Sequence, residues 1–93
     1  MVEEFKIRYK GIDFIRRVNI IDRELYQLSR TGYTAKYRTT AIISYYKDYN
    51  HLGYVQIITS QAEIGPILFP EEKTFLDKAV KTINMKNDME DTW

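Results

Sequence analysis

His51 is the single histidine of this sequence, and it is the only side chain whose ordinary pKa lies near neutrality, so proton-transfer chemistry would have to start there. It sits in Asp48-Tyr49-Asn50-His51-Leu52-Gly53, which reads by composition as a hairpin loop, with no adjacent carboxylate or nucleophile to orient it. An exposed loop histidine is therefore expected. Ser29, Ser44 and Ser60 lack the glycine-flanked turn that presents a nucleophilic serine. The adjacent acids Glu3-Glu4 and Glu71-Glu72 are accounted for by a chain start and a helix start, and the four scattered glycines make no phosphate-cradling loop. With no cysteine and one histidine, only oxygen ligands remain for a metal, and Asp88-Met89-Glu90-Asp91 lacks the spacing and glycine of a calcium loop. The expectation is a protein that is not an enzyme, with no catalytic residue, no cofactor and no metal.

Binding by a surface is the class that these residues support. Lys6, Arg8 and Lys10 alternate along a first strand, and Arg17, Lys36 and Arg38 would join them if those strands are neighbours presenting the same face. Tyr46 and Ile42 would stand among them. Cations interleaved with aromatic rings suit single-stranded nucleic acid, whose phosphates meet the charges and whose bases stack on the rings. The same mixture suits a protein surface, because Tyr and Arg are enriched at interfaces. Eight tyrosines are many for this length. Tyr9, Tyr33, Tyr37 and Tyr45 are expected in the interior or at its rim, which leaves Tyr46, Tyr49 and Tyr54 for contact. Trp93 follows Met85 and Met89 at four-residue steps, so a prolonged helix would align the three for a partner's groove or a second copy; the alternative is a tail that packs beside Phe75 on its own domain or frays.

These side chains need elements to hold them. Phe5, Ile7 and Tyr9 alternate with the cations as in a half-buried strand, and Lys10-Gly11 reads as a tight turn. Ile12, Phe14, Val18 and Ile20 resume the alternation. Ile15 beside Phe14 and the Arg16-Arg17 pair break it, which predicts a bulge or a register change there, and one arginine must approach the apolar side, where a packed stem and a wet head are expected. Asp22 to Ser29 has Leu25 and Leu28 three apart behind a capping aspartate, and predicts a short helix near 22–29. From Gly32 to Asp48 the residues are strand formers; run unbroken, Tyr33, Ala35, Tyr37, Ala41, Ile43 and Tyr45 would share one face and Lys36, Arg38, Ile42, Ser44 and Tyr46 the other, but a bend near Thr39-Thr40 is expected. Tyr54 to Thr59 returns as a strand, and Ile64 to Phe69 predicts a short last strand at the sheet edge.

Pro70 then opens a helix with Glu71 and Glu72 at its positive end. Phe75, Leu76, Ala79, Val80 and Ile83 gather on one stripe that a sheet must cover. The fold class expected is α+β: an antiparallel sheet of four or five strands with one C-terminal amphipathic helix on one face. Residues 1–84 form a single compact domain and 85–93 an acidic tail.

Composition sets the remaining bounds. The 93 residues suit one globular domain, and 44% apolar against 29% charged is not the balance of a disordered chain. The absence of cysteine, of a leader-like start and of a long apolar run predicts a cytoplasmic protein with no membrane segment. The net charge of +1 divides unevenly: residues 1–50 hold ten Lys or Arg against six acids, and residues 51–93 four against seven.

The stretch GPILFPEEKTFLDKAVKTI resembles the last strand and helix of the small positive-cofactor-type coactivators. That resemblance implies a curved four-stranded sheet that binds single-stranded DNA, and no individual residue is carried over from it. It covers about a fifth of the chain, and the helical turn expected at 22–29 has no place in that pattern. The first functional expectation is a small protein that occupies a surface of another macromolecule, in the manner of the compact inhibitors and adaptors that phages and mobile elements encode. The second is a module for single-stranded DNA or RNA, and the third a subunit of a structural homodimer.

Overall fold

A computed structural model of the chain describes residues 2–28, 35–61 and 63–91. Four strands, β1 (Val2–Tyr9), β2 (Ile12–Leu28), β3 (Ala35–Lys47) and β4 (Asn50–Thr59), form one antiparallel sheet in the order β1-β2-β3-β4, and the helix α1 (Pro70–Asp91) follows. This is the α+β architecture that the alternating strands and the apolar stripe predict.

Two tight turns set the registers. Lys10 and Gly11 adopt φ of 49° and 81° between the paired Tyr9 and Ile12, and Asp48 and Tyr49 adopt 50° and 68° between Lys47 and Asn50. Two successive left-handed residues match the twist of the strands they join. The second hairpin is therefore closed by two residues only. His51, expected in a loop, is instead a residue of β4, and it is exposed as expected.

Alternation then decides the two faces. Phe14, Val18, Ala41, Ile43, Tyr45 and Ile57 point to one side and are buried with Ile64, Leu76 and Val80. Phe75, Ala79 and Ile83 pack against that core, so the predicted stripe is the face α1 lays on the sheet. α1 continues past Asn84 to Asp91, a span of 22 residues or about 33 Å of helix.

Two expected elements differ. Residues 22–28 are strand, not helix: β2 runs on to Leu28, paired with β3, with register shifts between Ile20 and Asp22 and between Leu25 and Gln27. Residues 64–69 form no strand; they cross the helix side of the sheet and bury Ile64. The second correction makes β4 the last strand, so the stretch that resembles a coactivator's last strand and helix holds the helix alone.

β1 ends opposite Asn19 and β4 ends opposite Thr39, the partner of Arg23, so over residues 24–28 and 35–38 the sheet narrows to a two-stranded arm. The molecule measures 67 × 21 × 16 Å, and its radius of gyration of 17.0 Å exceeds the value of about 12 Å expected for a compact domain of this length.

Candidate functional site

The helix side of the sheet is closed by a buried polar cluster. Phe5, Arg16, Tyr45 and Gly53 stand side by side across the four strands. Glu72, at the third position of α1, points into that row. Its Oε1 accepts a hydrogen bond from Arg16 Nε at 2.7 Å and another from the Tyr45 hydroxyl; its Oε2 accepts from Arg16 NH2 at 3.0 Å and from the Phe69 backbone N–H at 2.7 Å. The last of these is the reciprocal arm of a helix capping box. Arg16 NH1 donates to the Gly65 carbonyl at 2.7 Å, which fixes the segment ahead of the helix.

Arg16 and Glu72 are fully buried, so the expected wet arginine head is corrected. Its forked guanidinium suits a carboxylate that accepts two parallel bonds, and the low-dielectric interior makes the pairing obligatory. Burial disfavours the charged guanidinium, but the hydrogen bonds and charge of Glu72 outweigh it and hold Arg16 above its ordinary pKa. Burial, reinforced by the bond donated to Glu72, pushes the Tyr45 hydroxyl far up. Every oxygen of Glu72 is occupied, so the cluster anchors the helix and offers no free base.

Beside it, Phe75 stacks on Tyr45 with ring centroids 5.3 Å apart and seats its edge over Gly53. At the rim, Asp77 accepts from Lys10 Nζ and from the Tyr9 hydroxyl, each at 2.7 Å. The bond from Lys10, then that from Tyr9, lowers the Asp77 pKa; the bond to Asp77 raises those of Lys10 and Tyr9.

The opposite side of the sheet carries no helix, and the predicted binding residues divide around it. Lys6, Arg8 and Arg17 are exposed there, and Tyr46 is half-buried among them. Together with Tyr49 in the β3–β4 turn, which is 103% exposed, they border an open groove of about 910 Å3. The register makes a row of Lys6, Ile15, Tyr46 and His51, with the Tyr46 and His51 rings 5.1 Å apart, and beside it a row of Glu4, Arg17, Ser44 and Tyr54.

Lys36 and Arg38 share the outward face of β3, but Arg38 lies six residues from Ser44, about 20 Å along the strand, on the arm. Lys10 does not belong to the face at all, because its ammonium turns to Asp77 on α1. Trp93, Tyr33 and Ser29 lie outside the described residues.

The cations are not alone. Arg17 Nε stands 3.9 Å from Glu4 and Arg8 Nε 3.9 Å from Asp13, both as exposed pairs worth little to stability. Among the described residues, no three His, Asp or Glu side chains converge to hold a metal ion, and no helix is long and apolar enough to cross a membrane. Ile15 and Ile58 complete the apolar part of this face and were not among the predicted contacts; strand parity alone would have placed them there. No family model, curated protein or solved structure matches the chain.

Proposed function

We propose that the chain is a non-enzymatic binding protein that acts by laying the uncovered face of its sheet on another macromolecule, and that this partner is a protein. The observation that carries the reading is the chemical mixture at the groove. Lys6, Arg8 and Arg17 alternate with Glu4 and Asp13, and Tyr46, Tyr49 and Tyr54 stand beside them. Charges of both signs around tyrosines complement a protein surface, where Tyr and Arg supply most of the hot-spot energy. A small inhibitor or adaptor of the kind phages and mobile elements encode fits this mode of action. A cytoplasmic setting goes with it, since the chain has no cysteine that an oxidising compartment would bridge.

A second reading, single-stranded nucleic acid, is favoured by one observation: the Tyr46 and His51 rings lie in the same cross-strand row as Lys6, which puts a stacking platform beside a phosphate-binding cation. Capture from the native cell extract with the tagged full chain, with and without nuclease and over a salt series, separates the two. A protein that survives nuclease and responds mildly to salt supports the first reading. A nuclease-sensitive complex that weakens steeply with salt supports the second, because counterion release governs it. Arg17→Glu and Tyr46→Ala are expected to abolish capture while leaving the circular dichroism unchanged; capture that ignores both substitutions rules out this face.

A further inference from the structure

The two outer strands of the sheet are built differently. β1 carries Glu3, Glu4, Lys6 and Arg8 within eight residues, the charge by which exposed edges are kept from pairing. β4, Asn-His-Leu-Gly-Tyr-Val-Gln-Ile-Ile-Thr, has no acid, no Lys or Arg and no proline in ten. It pairs with β3 alone, and among the described residues the only backbone–backbone hydrogen bonds outside strands and helix are two at the start of α1, so no described backbone group caps the outer side of β4. Its pairing with β3 runs without a shift from Tyr54 to Thr59, and Tyr54 and Ile58, on either side of Gln56, are 62% and 64% exposed on the uncovered face.

We infer that β4 pairs antiparallel with β4 of a second copy about a two-fold axis at Gln56. An axis through a residue keeps outward side chains opposite outward ones and inward opposite inward. At Gln56 it sets Tyr54 against Ile58 of the second copy, and Ile58 against Tyr54, so that two bare apolar side chains cover each other as aromatic–β-branched pairs. Val55 then meets Ile57 on the helix side. An axis at Val55 would instead set Tyr54 against Gln56 and Ile58 against Leu52, the residue that the register shift leaves without a partner on β3. A strand without charges meets its own copy without like-charge contact. The product is an eight-stranded sheet whose uncovered faces join into one, whichever macromolecule that face meets.

Sedimentation of the full chain over a concentration series tests this. The wild type is expected to pass from monomer to dimer as concentration rises. Gln56→Lys and Gln56→Glu each set like charges opposite one another on the axis, and are expected to weaken dimerisation by about fivefold or more. An equimolar mixture of the two is expected to dimerise again, because unlike charges then face each other. Gln56 is exposed, so both variants should keep the circular dichroism of the monomer. The chain has no cysteine, so Gln56→Cys introduces a single thiol, and mild oxidation should link two copies, since paired strands bring the Cα atoms within disulfide reach. A wild type that stays monomeric at every concentration, or a dimer that Gln56→Lys leaves unchanged, overturns the inference.

Discussion

Arg16 and Glu72, separated by 56 residues, meet in the interior with Arg16 Nε 2.7 Å from Glu72 Oε1 and are both fully buried. The pair joins the second strand to the first turn of the helix, and through Gly65 and Phe69 it also holds the connection between them. Removing one partner strands a charge in the core, so Arg16→Ala or Glu72→Ala should cost about 3–5 kcal/mol in urea unfolding. The double change Arg16→Met, Glu72→Leu should cost much less than the sum. A full additive loss would show that the pair contributes more than mutual neutralisation.

Alkaline pH reads Tyr45. Burial, and then the bond to Glu72, raise its pKa in the folded chain, whereas an unfolded tyrosine titrates near 10. The unfolded state therefore binds fewer protons above about pH 10, and linkage makes stability fall as pH rises from there toward the folded value. Stability measured from pH 8 to 11 should bend downward above 10, and Tyr45→Phe should flatten part of that bend. An unchanged slope in the variant would remove Tyr45 as its source.

Gly53 is the seat of Phe75. A Cβ there would lie 2.8 Å from Phe75 Cε2, and φ of +146° is a conformation that L side chains rarely adopt. Gly53→Ala is expected to destabilise by about 1–3 kcal/mol. Combining it with Phe75→Leu should recover part of the loss; strict additivity in a denaturant-based double-mutant cycle would contradict the contact.

Thr39 is buried, and its hydroxyl has no hydrogen-bond partner among the described residues. Thr39→Val keeps the shape and removes an unsatisfied polar group, so thermal unfolding should show a gain of about 1 kcal/mol. A loss of stability would mean that the hydroxyl is satisfied in solution.

Much of the fold is legible in the residue order because its periods are clean. The helix stripe from Phe75 to Ile83 repeats at 3.6; the bend expected near Thr39-Thr40 is not there, since β3 is one strand through both residues. The segment at 22–28 misleads for a physical reason. A bulge between Leu25 and Gln27 sets Leu25 opposite Tyr37 and Leu28 opposite Ala35, two positions on one face of β3, so three-residue spacing arises in a strand. Arg16 was visible as a break in the pattern, but the bulge expected there is absent, because the pairing runs without a shift from Ile12 to Ile20 and the arginine simply takes an inward position; its partner was not visible, since Glu72 is explained locally by the helix start. The uncovered face of the sheet was legible by parity at Lys6, Arg8, Arg17 and Tyr46. Lys10 was not, because a left-handed turn residue leaves the alternation and its stem swings to Asp77.

The arm formed by residues 24–28 and 35–38 has a consequence for how the molecule breathes. A ribbon of two strands, with neither β1 nor β4 beside it, is marginal by itself. Its amides should therefore exchange with deuterium through local opening, long before those of Ile43 or Leu76, which wait for global unfolding. The amides of the two paired segments would then act as a built-in reporter: a ligand that grips the arm would slow them selectively, and a ligand seated only at the groove would leave them ticking.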